Sequence, residues 1–288
     1  MSRVAYVNGR YVPHAEAGVH IEDRGYQFAD GVYEVIAVLK GRFLDEEGHH
    51  DRLERSLREL RIAPPVGRRA LSHVLRETVR RNRVASGIVY VQVTRGVARR
   101  DHPFPAHVQP SLVVTARRIK GPGAQAVEQG VGVVGLRDIR WERRDIKSIS
   151  LLPNVLAKQE AREKGAYEAW LVGGDGVVHE GSSTNAWIVT PDGTLVTHPP
   201  AHAILNGITR LAILAAARSM GIRVEERPFG LEEAKLAKEA FLSSTTSHLI
   251  PVISIDGQPV GNGHPGEITR ALLAAYLAGF GLESGSFA

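Results

Sequence analysis

The chain has 288 residues, 43% of them hydrophobic and 23% charged, with 36 Lys plus Arg against 31 Asp plus Glu and thus a net charge of +5 with neutral histidines. This composition is typical of a folded protein and argues against wholesale disorder. Because the chain contains no cysteine, disulfides, thiolate zinc sites, iron–sulfur clusters and cysteine nucleophiles are excluded.

The first part of the chain predicts a small domain of strands and helices. Alternating apolar residues with tight-turn pairs predict strands, and an apolar period near 3.6 predicts helices. In chain order, these are hairpins over 4–12 and 32–44, helices around 54–60 and over 68–83, and strands over 88–94 and 111–116. Two glycines around a proline then predict a linker over 120–125. We therefore expect an N-terminal α/β domain over residues 1–119.

The rest of the chain predicts a larger C-terminal domain over 126–288. Its predicted elements are strands over 131–136, 168–172, 186–189 and 252–255, short strands near 224 and 241, and helices over 154–164, 207–220 and 266–278. The fold class is therefore mixed α/β (α+β) in two domains. The apolar runs are far shorter than the roughly 18 residues of a membrane-spanning helix. With no pattern of a secretory signal at the N-terminus, the expected location is cytoplasmic.

The positive charge comes from 29 arginines and only 7 lysines. The arginines alternate with acidic residues, as in residues 51–59, which is typical of a solvated helix face held by salt bridges. A basic nucleic-acid-binding protein nevertheless stays open as an alternative on charge alone.

Lys147 stands apart from the other lysines because apolar residues follow it at alternate positions. If the segment is extended, Lys147 shares a face with Ile149 and Leu151. A partly desolvated amine of this kind is suited to forming a Schiff base. The competing interpretation is a snorkelling lysine that continues the basic pair Arg143-Arg144.

Three polar segments offer groups that could bind a phosphorylated heterocycle. Residues 179–185 combine the Glu180 carboxylate with three hydroxyls and an amide, residues 206–210 open a helix, and residues 243–247 are all Ser or Thr. A carboxylate could hold a proton on a ring nitrogen, and hydroxyls and a helix N-terminus favour phosphate. Alternatively, these segments are polar turns and an ordinary helix start, capped in that case by Asn206.

A basic loop after the predicted strand 88–94 carries Arg100 and His102. On an extended segment, the two side chains could converge on one carboxylate, because arginine offers a planar pair of donors and histidine a further one. An exposed basic loop without such a role fits the spacing equally well.

Together these segments carry a resemblance. Residues 140–161, which include Lys147, resemble the lysine region of the fold-type IV, pyridoxal-phosphate-dependent (class IV) aminotransferases. Within this family, the chain is most similar to the D-amino acid aminotransferases. The resemblance extends from Tyr6-Val-Asn-Gly9 to residues 251–257, with several separate motifs in the same order.

The resemblance implies a two-domain enzyme with pyridoxal 5'-phosphate in the interdomain cleft and no metal. Lys147 would form the Schiff base with the cofactor and move the proton, and Glu180 would pair with the pyridine nitrogen. The remaining implied cofactor contacts are Arg52, Thr245 and the backbone N–H groups of Ile208 and Thr209 at the phosphate, and Leu205, Ser182 and Ser183 at the ring. The implied residues for the substrate carboxylate are Tyr33, Arg100 and His102.

The implied reaction is transamination between D-amino acids and 2-oxo acids, either 2-oxoglutarate or pyruvate. A homodimer is also implied, with the partner's small-domain loop near the site. The Arg-x-His pair at residues 100–102 resembles the D-amino acid enzymes, whereas an L-branched-chain aminotransferase or an (R)-amine transaminase of the same fold stays an alternative. Asn206, Pro153 and Arg99 depart from the family pattern, and Arg99 could favour acidic side chains in the substrate.

Overall fold

The computed structural model describes residues 3–119 and 123–281, which form two compact units. Unit 1 comprises Met1–Ile119 together with Ile146–Ser150, and unit 2 comprises Lys120–Asp145 together with Leu151–Ala288. The division expected from the sequence followed chain order and assigned Ile146–Ser150 to the C-terminal domain. This segment groups with unit 1 because its backbone pairs with a strand there.

Unit 1 contains a six-stranded antiparallel sheet and two long helices. Its elements are β1 (Val4–Val7), β2 (Arg10–Pro13), a 3-10 turn (His14–Glu16), α1 (Arg24–Phe28), β3 (Gly31–Leu39), β4 (Arg42–Phe43), α2 (Glu46–Glu59), α3 (Arg68–Asn82), β5 (Gly87–Thr94) and β6 (Ser111–Arg117). The strand order is β2-β1-β6-β5-β3-β4. Helix α2 packs against β3, and α3 against β1 and β6. Burial of the apolar faces between them makes the core of this unit.

Both predicted hairpin turns are confirmed. Asn8 and Gly9 have φ of 44° and 91°, and Lys40 and Gly41 have φ of 48° and 75°. Two consecutive positive φ angles give the turn whose twist matches that of the flanking strands, and Asn-Gly is well suited to it.

Unit 2 contains a nine-stranded mixed sheet. Its elements are α4 (Ala124–Gln129), β7 (Val131–Arg137), α5 (Leu152–Glu163), β8 (Glu168–Val172), β9 (Val178–Gly181), β10 (Asn185–Val189), β11 (Leu195–Thr197), α6 (Ile208–Ser219), β12 (Val224–Glu226), α7 (Leu231–Lys235), β13 (Glu239–Ser244), β14 (His248–Ile255), β15 (Gln258–Pro259) and α8 (Glu267–Ala278). The order is β12-β11-β10-β13-β14-β7-β8-β9, with β15 on β14. Trp170 and Trp187 are fully buried in this unit.

The elements missing from the sequence prediction are short ones: α1, α4, α7, β9, β11 and β15. A helix of five or six residues spans less than two turns, so it shows no clear apolar period. Of the predicted linker 120–125, residues 120–122 lie outside the described residues, and α4 already begins at Ala124. Among the residues that the structure describes, no helix combines the length and apolar character needed to cross a membrane.

Candidate active site

Lys147 lies in unit 1, on a segment that runs beside β3. The Tyr33 N–H donates to the Lys147 carbonyl at 3.0 Å, and the Ile149 N–H donates to the Gly31 carbonyl at 3.0 Å. A Cβ at Gly31 would lie 2.6 Å from the Val93 carbonyl oxygen and 3.1 Å from Ile149 Cδ1. Glycine therefore permits the close approach that fixes Lys147 beside the sheet.

The Lys147 amine lies over an aromatic ring. Its Nζ is 4.3 Å from the centroid of the Tyr33 ring, within the range of a cation–π interaction. The Tyr33 ring stacks on Tyr90 at 5.7 Å. Burial, together with the neighbouring Tyr33, raises the pKa of Tyr90 to about 12, so Tyr90 stays neutral. The structure thus brings together two residues predicted for the site, Lys147 and Tyr33.

Next to Tyr33 on β3, the buried Glu34 binds two side chains of α2, one from an arginine and one from a histidine. Arg52 donates from Nε to Oε1 at 2.7 Å and from Nη2 to Oε2 at 2.9 Å, and His49 Nδ1 lies 2.7 Å from Oε2. Burial raises the pKa of Glu34, but Arg52 and His49 outweigh this effect and lower it to about 2. Burial lowers the pKa of His49, Glu34 opposes this, and the Arg52 and Lys147 charges lower it further.

Sequence reasoning missed Glu34 and His49. His49 and Arg52 are three residues apart on α2, so they lie on one face of the helix. This spacing could have predicted that the two side chains are neighbours. Glu34 follows Tyr33 on β3, where neighbouring side chains point to opposite faces of the sheet. The pairing across 15 and 18 residues depends on how α2 packs onto β3.

Glu180 lies in unit 2, on β9 rather than in the polar turn that the sequence suggested. Both carboxylate oxygens accept hydrogen bonds: Oε1 from Arg140 Nη1 at 2.5 Å, and Oε2 from the Leu205 N–H at 3.1 Å and from Asn185 Nδ2 at 3.2 Å. Asn185 also donates to the Leu205 carbonyl at 2.9 Å. Leu205 is thereby held at the Glu180 carboxylate.

Arg140 connects Glu180 to a second buried carboxylate, Asp138. Arg140 donates from Nε to Asp138 Oδ1 at 3.0 Å and from Nη2 to Oδ2 at 2.9 Å. His179 Nδ1 lies 2.9 Å from the same Oδ2, and Arg144 Nε lies 3.2 Å from it. Burial raises the pKa of Asp138, but His179 and Arg140 bring it well below its usual range. Sequence reasoning did not single out Asp138 or Arg140.

The hydroxyls of Ser182 and Ser183 bind a third buried carboxylate in unit 2, Glu168. The Ser182 hydroxyl donates to Oε1, and the Ser183 hydroxyl donates to Oε2 at 2.9 Å. Asn154 Nδ2 donates to the Ser182 carbonyl at 2.8 Å. Glu168 therefore determines where both predicted hydroxyls point, and it is a further residue that sequence reasoning missed.

Helix α6 begins without a side-chain cap. Gly207 is its N-cap, and the predicted cap Asn206 instead accepts a hydrogen bond from Arg210 Nη1 at 3.1 Å. A Cβ at Gly207 would lie 2.2 Å from Asn185 Oδ1, so a larger residue does not fit there. Within the described part of the chain, the Ile208 and Thr209 N–H groups have no protein acceptor, as expected for the first turn of a helix. Such a turn attracts anions.

Thr245 lies in unit 2, in the turn between β13 and β14, and it is half-buried. In the same turn, the hydroxyls of Ser244 and Thr246 lie 3.4 Å apart, and the Ser247 N–H donates to Ser244 Oγ at 3.1 Å. Helix α6 packs against β13. The Ser/Thr cluster therefore follows a strand, β13, against which α6 packs.

Arg100 and His102 lie in unit 1 on the β5–β6 loop (residues 95–110), and both side chains are exposed. Arg100 Cζ is 5.2 Å from the centroid of the Phe28 ring, and the His102 ring is 5.4 Å from it. The two predicted carboxylate-binding residues therefore lie against the same aromatic ring. Tyr33 has different neighbours, since it lies on β3 beside Lys147.

The chain matches known proteins along most of its length. The model of the family "Amino-transferase class IV" matches residues 31–255. D-alanine aminotransferase of Bacillus licheniformis is 41% identical over 268 residues, 93% of this chain and 94% of that protein. The enzyme of the same name from Listeria monocytogenes (strain F2365) is 43% identical over 268 residues, 92% of each chain.

Among solved structures, the branched-chain amino acid aminotransferase of Escherichia coli superposes with a TM-score of 0.90 at 27% identity, covering 99% of this chain and 96% of that one. A branched-chain amino acid aminotransferase of T.th., solved with pyridoxamine 5'-phosphate, superposes with a TM-score of 0.89 at 26% identity, covering 96% and 93%. The chain is therefore an aminotransferase with the two-domain fold-type IV architecture, and it belongs to the class IV aminotransferase family, whose members use pyridoxal 5'-phosphate.

Proposed function

We propose that this aminotransferase moves amino groups between D-amino acids and 2-oxo acids such as 2-oxoglutarate or pyruvate. The observation that carries the proposal is the 41% identity to a D-alanine aminotransferase over 93% of the chain. The Arg100–His102 pair supports it, because the resemblance to D-amino acid enzymes includes this pair.

The groups present in each unit fit pyridoxal phosphate. Unit 1 supplies an amine, Lys147, and unit 2 supplies a buried carboxylate, Glu180, for a protonated ring nitrogen. Unit 2 also supplies the first turn of α6, where Gly207 leaves no room for a Cβ. When bound, the cofactor supplies an electron-withdrawing ring that makes the substrate Cα–H acidic.

Lys147 is proposed to hold the cofactor through its amine and to carry the proton to and from the substrate Cα. The Lys147 carbonyl accepts a hydrogen bond from the Tyr33 N–H, and its Nζ lies over the Tyr33 ring. The amine therefore has a defined position. A defined position matters because proton transfer requires the base within hydrogen-bond reach of the proton.

Glu180 is proposed to keep the ring nitrogen protonated. Arg140, Asn185 and the Leu205 N–H hold its two oxygens, so the carboxylate is fixed before the ring binds. A preorganised charge costs no rearrangement during the reaction. Leu205 is proposed to pack on the ring, while Ser182 and Ser183, held by Glu168, complete its hydrogen-bond surroundings.

The cofactor phosphate is proposed to be bound by Arg52, Thr245 and the backbone N–H groups of Ile208 and Thr209. The uncapped first turn of α6 supports the backbone contribution. Arg52 already binds Glu34 through Nε and Nη2, so Glu34 would determine the plane in which its guanidinium lies.

Tyr33, Arg100 and His102 are proposed to bind the substrate α-carboxylate. Because Lys147 would act from one side only, the side on which the carboxylate is bound would determine whether the D- or L-amino acid presents its Cα–H to the amine. A charge-matched pair on that side favours one hand through orientation.

An L-branched-chain aminotransferase is the second candidate. The superposition on the Escherichia coli branched-chain enzyme, with a TM-score of 0.90, favours it, but the identity there is 27% against 41% for the D-alanine enzyme of Bacillus licheniformis. The two candidates differ in how the substrate carboxylate is bound rather than in the cofactor site.

The test is the visible absorbance of the purified protein with pyridoxal phosphate, followed by D-alanine or, separately, L-leucine. We expect a yellow protein whose absorbance changes with D-alanine alone. Lys147→Ala should remove the covalently bound colour, whereas Lys235→Ala should keep it. Lys235 is a suitable control because its side chain is only 13% exposed and pairs with Glu232 and Asp256. A change with L-leucine alone would contradict the proposed handedness.

The homodimer and the cytoplasmic location stay predictions. Light scattering of the purified protein at micromolar concentration tests the first, and cell fractionation tests the second. We expect twice the chain mass of 31.3 kDa in the scattering measurement.

A further inference from the structure

Arg24, which is only 3% exposed, binds the backbone of the β5–β6 loop where the carboxylate-binding pair lies. Its Nη1 donates to the Asp101 carbonyl at 2.5 Å, and its Nη2 donates to the His102 carbonyl at 3.2 Å. One guanidinium therefore holds the peptide groups on both sides of His102. A lysine ammonium lacks this planar pair of donors.

Arg24 is itself fixed by an ion pair with Asp30, whose side chain is 12% exposed. Its Nε donates to Asp30 Oδ2 at 2.8 Å, and Arg95 donates to the same carboxylate from Nε at 2.7 Å and from Nη2 at 3.0 Å. Arg95 also donates to the carbonyls of Leu60 and Arg61. Burial raises the pKa of Asp30, but the two arginines lower it overall, so the carboxylate stays charged. The Arg24 guanidinium is thus anchored through Nε, while Nη1 and Nη2 bind the loop.

Phe28 contacts the side chains of the pair, whereas Arg24 binds the backbone at Asp101 and His102. The Phe28 ring lies 5.2 Å from Arg100 Cζ, 5.4 Å from the His102 ring and 4.8 Å from Arg24 Cζ. Arg24 and Phe28 are the first and last residues of α1. A single short helix therefore contacts both members of the pair and the loop that carries them.

The helix and the loop are also joined by backbone hydrogen bonds. The Arg24 N–H donates to the Gly96 carbonyl at 2.9 Å, and the Ala98 N–H donates to the Glu22 carbonyl at 3.3 Å. Gly96 has φ of 105°, and a Cβ there would lie 1.9 Å from the Gln109 carbonyl oxygen. These bonds and the close packing at Gly96 hold the start of the loop, and the exposed residues 100–102 follow it.

We propose that Arg24 and Phe28 are positioning residues for substrate binding, which hold Arg100 and His102 in the geometry that binds the α-carboxylate. The proposal rests on the proposed function, because it needs a substrate with an α-carboxylate. Exposed arginine and histidine side chains lose conformational freedom when they bind a ligand, and a fixed loop reduces that cost.

The first variant is Arg24→Lys, with Arg68→Lys as the matched control. Arg68 also joins a carbonyl and a carboxylate in unit 1, at 2.8 Å from the Glu47 carbonyl oxygen and 2.6 Å from Asp51, but it lies on α3 and these two partners lie on α2. We expect Arg24→Lys to raise KM for D-alanine about 10-fold, with kcat changed less than about threefold, since the chemistry at Lys147 is untouched. Arg68→Lys should leave both constants unchanged.

The second variant is Phe28→Leu, with Phe43→Leu as its control. Phe43 also contacts an arginine, since Arg76 Cζ lies 5.2 Å from the centroid of its ring. Phe43 lies on β4 rather than on α1. Phe28→Leu should raise KM for D-alanine about fivefold, because both side chains lose their common support while the backbone bonds of Arg24 remain. Phe43→Leu should lower Tm without changing KM.

Two readouts separate positioning from simple destabilisation. Hydroxylamine reacts with the bound cofactor but has no carboxylate, so its rate should be equal in Arg24→Lys and wild type. Hydrogen exchange should become faster in residues 97–104 in Arg24→Lys and stay unchanged in α3. Equal KM values for Arg24→Lys and Arg68→Lys, or a hydroxylamine rate that falls together with the D-alanine rate, would overturn the proposal.

Failure of the proposed function has a different signature. If wild-type protein binds the cofactor but D-alanine leaves its absorbance unchanged, the D-amino acid assignment is wrong irrespective of Arg24. If wild type reacts with D-alanine and the Arg24 and Phe28 variants react with unchanged KM, only the positioning proposal is wrong.

Discussion

Each unit contains a buried glutamate bound to an arginine, but the two pairs are built differently. In unit 1, Arg52 binds both oxygens of Glu34 with Nε and Nη2, and His49 adds a third contact. In unit 2, Arg140 gives its Nε and Nη2 to Asp138 and reaches Glu180 through Nη1. The second oxygen of Glu180 accepts from the uncharged donors of Asn185 and Leu205.

The difference shows how a fold can use one residue type for two purposes. A carboxylate bound by two nitrogens of one guanidinium is strongly neutralised, and it orients its partner. Glu180 shares its arginine with another carboxylate, and its second oxygen accepts from neutral donors. The Arg140 charge is thus divided between two carboxylates, which suits the positively charged ring nitrogen that we propose Glu180 binds.

The largest effect is expected from removing the Lys147 amine, which lies over the Tyr33 ring in unit 1. Lys147→Ala should lower kcat by at least about 10³-fold, because the covalent attachment and the proton carrier are lost together. Tm should change little, since Lys147 is bound to the fold through its backbone. Steady-state rates with D-alanine, combined with thermal unfolding, measure both. Normal turnover in this variant would rule out the proposed role.

Glu180→Gln tests whether the second pair supplies charge rather than structure. We expect kcat to fall roughly 10²-fold with the cofactor still bound, since one preorganised group aimed at developing charge typically contributes about 10²–10³-fold. The control is Glu239→Gln, because Glu239 is equally buried at 5% exposed and binds the N–H groups of Ile268 and Thr269 at the start of α8. This control should lower stability and leave kcat unchanged, and an unchanged kcat in Glu180→Gln would contradict the assignment.

Glu34→Gln tests the structural role of the first pair. The fold lowers the pKa of Glu34 from 4.5 to about 2. This shift corresponds to roughly 3 kcal/mol of unfolding free energy that is fully present above pH 4.5. Because a lowered carboxyl pKa stabilises the charged folded form, this contribution disappears as pH falls from about 4.5 to about 2. Urea unfolding at pH 7 should show Glu34→Gln less stable by about 3 kcal/mol, with a weaker loss towards pH 3 than in wild type.

Glu77→Gln is the surface counterpart of that variant. Arg80 and Arg81 lower the pKa of Glu77 to about 2 as well, through hydrogen bonds at the face of α3. Because water and salt screen this group, its substitution should change stability far less than Glu34→Gln. Equal losses for the two variants at 0.5 M NaCl would show that burial does not distinguish the pairs.

The smallest effect is expected at the exposed Arg99. If its charge favours acidic substrates, Arg99→Ala should lower the ratio of kcat/KM for D-glutamate to that for D-alanine by roughly threefold, the size of a screened surface interaction. Measuring both donors with the same 2-oxo acid gives the ratio. No change in it would remove Arg99 from specificity.

Local sequence patterns predicted most of the secondary structure. The hairpin turns at Asn8-Gly9 and Lys40-Gly41, the α3 helix and the strands β5 and β8 are confirmed because their signals lie within a few residues. The family and the pyridoxal phosphate cofactor were also predictable, since several motifs occur in the same order as in known members. The residue roles carried over by the resemblance stay predictions, with Lys147 and Glu180 first among them.

Only the tertiary structure shows which side chains hold these residues. Arg140 meets Glu180 across 40 residues, Arg24 meets Asp101 across 77, and Glu34 meets Arg52 across 18. Each partner is one of many similar charged residues in the sequence, and no spacing rule selects among them. The sequence by itself thus determined most secondary-structure elements and the chemistry of the family, because both depend on residues that are close together in the chain. The tertiary structure decided the charge partners, because packing of the elements brings distant residues together.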